Sequence, residues 1–200
     1  MSQPSHITNK LLGLNKQKQL AFGLLTAERF FICYEIFSGR EGFGNIEHLK
    51  KSMNLIENFI VGEREDMNLI EKFKELVDKS IPDIDDFGSV NSSLALNVSA
   101  IIYEALNFIL HDEKRIIDEF STYATDSIDF LIYEIEGYDQ MDLEKFASHK
   151  LMKEEIRLQG GIVEYLEKIE SLDSEDIETL RLMQKGTEFS KLNLEEIFAE

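Results

Sequence analysis

The chain has 200 residues, is 43% hydrophobic and 10% aromatic, and carries a net charge of −18. This length suits one domain, and the apolar share supplies a core and excludes an intrinsically disordered chain. Lys and Arg number 7 against 5 Asp and Glu over residues 1–60, and 14 against 34 over residues 61–200, a balance that argues against nucleic acid or an anionic membrane as partner.

In chain order, residues 1–10 are expected to be flexible or loosely packed. A helix then starts near Asn15, with Leu20, Leu24, Ala27, Phe31 and Tyr34 on one face. Further helical patterns cover about 45–61, 67–80 and 91–111, with IPDIDDFG (81–88) as the longest irregular stretch. Ile116, Phe120, Tyr123, Ser127, Leu131 and Ile135 step by three and four, which predicts a helix from about Asp112 to Gly137. Patterns over about 142–171 and 173–186 follow, and Asp173 with Asp176 reads as a helix start. Asn193 with Glu196 reads as a capping-box-like start of a terminal turn. No segment alternates with period two. The expected fold is all-α: one compact domain over 1–200, of about seven or eight helices, with no sheet.

The lone Cys33, beside Phe30, Phe31, Ile32 and Tyr34, excludes an internal disulfide and reads as a packed, inert thiol. No signal peptide is evident and no apolar run approaches a membrane span, so a cytoplasmic location is expected.

Four stretches could carry chemistry. GREGFGN (39–45) has the glycines of a phosphate loop, but it lacks the preceding strand and the Lys-Ser/Thr ending. The expected reading is a joint in which Gly42 or Gly44 ends one helix, Asn45 caps the next and Phe43 plugs the corner. IPDIDDFG, aligned as a calcium loop from Asp83, puts Phe87 and Leu94 where two oxygens are needed. Its aspartates are expected to cap backbone N–H groups instead. Glu28-Arg29 interrupts the apolar run LLTAERFFICY. Arg29 is expected to be buried and paired with Glu35, Glu41 or the 83–86 loop; the alternative is a ligand-facing pair. Gly160-Gly161, inside a periodic helix, implies close approach of a neighbour or a break. His6, His48, His111 and His149 lack metal-ligand spacing, so no metal, cofactor or catalytic set is expected.

AERFFICYEIF…EGFGN followed by IPDIDDF resembles the YjaG-like family of bacterial domains of unknown function, over about residues 10–195. The resemblance is carried by Glu28, Arg29, Tyr34, Phe37, Gly42, Phe43 and Gly44, with Pro82, Asp85, Asp86 and Phe87 downstream. Ile32 departs from the pattern, which often has proline there, so the first long helix is expected to run straighter. The resemblance implies a compact, all-helical, cytoplasmic bacterial protein with a role beside signalling kinases. It implies no cofactor and no catalytic residue.

The functional expectation is a non-enzymatic protein that binds another protein, with a basic one suited to its charge, or a second copy of itself. One alternative is an immunity-type protein that neutralises a basic toxin. The contrasting class is a small-molecule binder or an enzyme, with a cleft near Glu28, Arg29, Glu41 and the 83–86 aspartates; the candidate motif or ligand residues are Glu28, Arg29, Tyr34, Glu41, Gly42, Phe43, Gly44, Asp85, Asp86 and Phe87.

Overall fold

A computed structural model describes residues 6–112, 117–137 and 143–199, with side chains over 6–112, 119–137 and 144–199. The helices are α1 (His6–Gly13), α2 (Lys16–Glu41), α3 (Ile46–Ile60), α4 (Met67–Asp78), α5 (Ile84–Phe87) and α6 (Val90–His111). They continue with α7 (Ile117–Glu136), α8 (Leu143–Ser148), α9 (Lys150–Lys168), α10 (Ser174–Gln184) and α11 (Leu194–Ile197). A short 3-10 turn, Phe189–Lys191, lies between the last two. Among the described residues there is no strand, so the domain is all-α, and eight of its helices exceed six residues.

Two helices form the centre because their sequences are apolar almost all round. α2 buries Phe22, Phe30, Tyr34 and Phe37, and α6 buries Leu94, Val98, Ile101, Ile102 and Phe108. They pack on each other; α3 and α4 cover one flank, and α7 and α9 the other. α10 closes over α2 and α9, and α1 rests on α7 and α9. Gly23 lets α7 approach α2, since a Cβ there would lie 2.8 Å from the Phe120 ring. Buried polar groups join the layers. Asn97 Nδ2 donates to Ser127 Oγ across α6 and α7 (3.1 Å), and Lys18 Nζ donates to Ile169 O (2.6 Å).

α6 corrects the reading of the apolar runs. Its 22 residues are long and apolar enough to cross a membrane, yet 67% of its most apolar window is buried inside the fold. Its serines and asparagines break the run in the sequence, but Ser92, Asn97 and Ser99 are bonded inside the bundle. Ser99 Oγ, for example, donates to Ala95 O (2.8 Å).

Capping explains most helix limits. Asn15 accepts from Lys18 N at the start of α2 (3.0 Å), and Ser89 and Ser92 form a reciprocal capping box at the start of α6. Asp173 and Asp176 form the expected box on α10.

Four features differ from the sequence reading. α1 is a two-turn helix that buries Thr8 and Leu11, in a stretch too short for its period to stand out. The expected helix over 142–171 is divided at His149, whose extended backbone starts α9 while its Nδ1 accepts from Leu151 N (3.3 Å). No glycine or proline announces that boundary. IPDIDDFG contains the single-turn α5. Asn193 makes no side-chain cap on α11; its Nδ2 instead donates to Glu196 Oε2 (3.0 Å). Ile116 and Asp142, where two expected helices begin or extend, lie outside the described residues, as do residues 1–5. α2 runs unbroken through Ile32.

Candidate functional site

The residues singled out in the sequence sort into two places. The first is the joint between α2 and α3. Gly42 takes the left-handed conformation that ends α2 (φ 63°), its N–H bonded to Ser38 O (3.0 Å). Asn45 then caps α3, accepting from His48 N (3.1 Å). Gly44 is left-handed as well (φ 79°), and a Cβ on it would run into Tyr34 Oη. That close approach seats the Tyr34 hydroxyl, which donates to Ser80 O at the end of α4 (2.8 Å). Burial raises the Tyr34 phenol above its ordinary pKa.

Phe43 does plug this corner. Its ring lies 6.1 Å from Phe37 and 5.2 Å from Phe87, and Phe37 and Phe87 are 5.0 Å apart, all steeply inclined. The GFG and DDF stretches therefore converge through their aromatic residues. The charged members of the same stretches point elsewhere. Glu41, Asp85 and Asp86 are exposed, and Asp83 caps α5 by accepting from Asp85 N (3.0 Å). Among the described residues no group of three or more His, Cys, Asp or Glu is placed to hold a metal.

The second place is the middle of α2, where Glu28 and Arg29 meet α9 and α10. Arg29 Nη2 donates to Glu155 Oε1 on α9 (2.6 Å) and Nη1 to Gln184 Oε1 at the end of α10 (3.0 Å). Both charged side chains are buried, with 4% and 3% of their surface exposed. The Arg29 guanidinium also lies over the Phe30 ring, 4.9 Å from its centre. Burial pushes the Arg29 guanidinium below its ordinary pKa, and the Glu155 carboxylate acts in the opposite sense. The network continues inward: Gln159 Nε2 donates to Glu155 Oε1 (2.8 Å), and Ser121 Oγ on α7 donates to Gln159 Oε1 (2.6 Å).

Glu28, one residue earlier, faces Arg181 of α10. Arg181 donates to both Glu28 oxygens (2.5 and 3.0 Å) and to both oxygens of Glu57 on α3 (2.6 and 3.0 Å). Donating hydrogen bonds to these carboxylates raises the Arg181 pKa further above its already high value. The adjacent pair thus grips α10 at two points, one wet and one dry.

The partners of Arg29 differ from those expected. Glu35 pairs with Lys50 (2.7 Å), and Glu41 lies at the far end of α2. At 1.5 Å per residue, Arg29 and Gly42 are roughly 20 Å apart along the helix axis, beyond any side chain's reach. Glu155, Gln159, Arg181 and Gln184 were missed. Glu155 and Gln159 did leave a signal, because they interrupt the buried face of α9 formed by Leu151, Leu158 and Ile162.

Cys33 is buried, and desolvation pushes its thiol up to about 12, which keeps it protonated and unreactive. Gly161 is where α10 approaches α9, since a Cβ there would lie 3.3 Å from Met183 Cε. The helix runs through both glycines without a break.

The fold and these two clusters define an all-helical domain whose motif residues knit its helices together. The chain belongs to the DUF416 family, described as proteins of unknown function, whose profile matches residues 6–195. Among solved structures it is similar to a DUF416 family protein from Shewanella baltica OS155, with a TM-score of 0.76 and 19% identity. The match covers 90% of this chain and 93% of that one, and it speaks for the fold. No curated protein matches the chain.

Proposed function

We propose that this protein acts by binding another protein and not by catalysis, with a basic surface as its partner. The observation that carries this reading is where its charged residues go. Glu28 and Arg29, the motif pair with the chemistry to hold a ligand, are engaged by Arg181, Glu155 and Gln184. Two grooves along the described surface are open to solvent. One of about 560 Å³ runs along Lys10, Asn15 and Glu167, and one of about 430 Å³ along Glu134, Asn193 and Glu196. Neither has the enclosed, mainly apolar wall of a small-molecule site.

The excess of 34 acidic over 14 basic residues beyond position 60 supports a partner steered by charge. On this reading the YjaG-like resemblance points to bacterial regulation beside a signalling protein in the cytoplasm. An immunity-type role against a basic toxin fits the same charge and is the second reading.

Both make one measurable demand. A pull-down from native lysate of the source bacterium should recover a stoichiometric partner, and the on-rate for the purified partner should fall steeply as salt rises. Recovery of no stoichiometric protein, or an on-rate indifferent to salt, would overturn the proposal. A partner encoded as a neighbouring nuclease or other basic toxin would decide for the immunity role.

A further inference from the structure

The Arg29 guanidinium leaves one donor over. Its two terminal nitrogens bond Glu155 and Gln184, but Nε has no partner in the protein, alone among the fully buried side-chain nitrogens and oxygens of the described residues. Arg29 also lines a small, partly open cavity of about 10 Å³. Arg29, Glu154, Glu155 and Thr187 line its polar side, and Leu151 and Phe189 help close it.

Size and charge together identify the occupant. The space matches one water, for which roughly 10–15 Å³ is needed, and it is too small for any organic ligand. A bound anion would face the carboxylates of Glu154 and Glu155, and a bound cation would face the guanidinium. The group that suits all three is neutral, accepts one hydrogen bond and donates two. We propose that this cavity is a binding site for a single ordered water, which accepts from Arg29 Nε and donates to the neighbouring carboxylates.

The water ties the segment after α10 to the central ion pair. Thr187 lines the cavity, and the next residue donates from its backbone N to Glu154 Oε2 (2.5 Å). Lys150 holds the same residue's carboxylate (2.6 Å). With the water present, each of the three nitrogens of the buried Arg29 guanidinium has an acceptor, as a desolvated guanidinium requires.

A high-resolution crystal structure of the full chain should show one discrete density peak about 2.7–3.2 Å from Arg29 Nε. An empty cavity, or a direct bond from Nε to Glu155, would overturn the assignment. A bromide soak that gives an anomalous peak there would also overturn it, in favour of an anion site. In solution, magnetic relaxation dispersion of labelled water should count one fewer long-lived water in the Arg29→Met/Glu155→Leu double variant than in the native chain. An equal count would contradict the proposal. Should the double variant fail to fold, the density test on the native chain decides alone.

Discussion

Arg29 and Glu155 show how much a single pair of residues can hold. Each is a full charge removed from water, so neither is stable there without the other. Removing one member strands its partner: Arg29→Ala or Glu155→Ala should destabilise the fold by about 3–5 kcal/mol, measured by urea unfolding. The double replacement Arg29→Met/Glu155→Leu should cost far less than the sum of Arg29→Met and Glu155→Leu made singly, because no unpaired charge remains. Additive losses in that cycle would mean the pair is not coupled as the 2.6 Å contact implies. Gly44 makes a second test at this scale. Alanine there must adopt a positive φ and displace the Tyr34 hydroxyl, so Gly44→Ala should destabilise by roughly 2 kcal/mol or more. Adding Tyr34→Phe removes the clashing oxygen and should restore part of the loss; no recovery would show that the backbone strain is the whole effect.

At the scale of the element, glycine context decides the sign of a substitution. Gly160 and Gly161 both sit inside α9, but a Cβ at Gly160 meets nothing within 4 Å. Gly160→Ala should therefore stabilise the protein by up to about 1 kcal/mol through helix propensity alone. The same change at Gly23 drives a methyl into the Phe120 ring and should destabilise, since α2 and α7 cannot separate without opening the core. Thermal melts of the two variants should move in opposite directions. The expectation of one helix over 142–171 failed for a related reason. His149 ends α8 and starts α9 by capping a backbone N–H with its ring nitrogen, and histidine at that position carries no boundary signal in a sequence.

Across the whole molecule, the segment after α10 is held by charge. Lys150 and Lys191 hold the Glu188 carboxylate down to about 2 from its usual 4.5. A depressed carboxylate contributes stability that is present above its unfolded pKa and is lost as pH falls through the folded value. The attachment of this segment should therefore weaken between about pH 4.5 and pH 2. Asp126 and Asp129 act in the opposite sense, because burial raises their pKa values and protonation relieves that cost. The contribution of Glu188 is thus read as the difference in unfolding midpoint between the native chain and Glu188→Gln. That difference should be present at pH 6 and vanish near pH 2; a difference unchanged across this range would show that the lysine contacts do not hold in solution.

The all-helical class, the order of the major helices, the α2–α3 joint and the inert Cys33 were all open to reading from the sequence. They depend on spacing, capping and local composition, which act over a few residues and leave a visible period. Glu28-Arg29 could be marked as exceptional on the same grounds, because two charges in an apolar run demand partners. Who those partners are could not be read. Glu155, Arg181 and Gln184 lie more than 120 residues away in the chain, and many acidic side chains would have met the same electrostatic need. Only the packing of α9 and α10 against α2 decided it. Packing also turned the aspartates of IPDIDDF outward while drawing Phe87 in to Phe37 and Phe43.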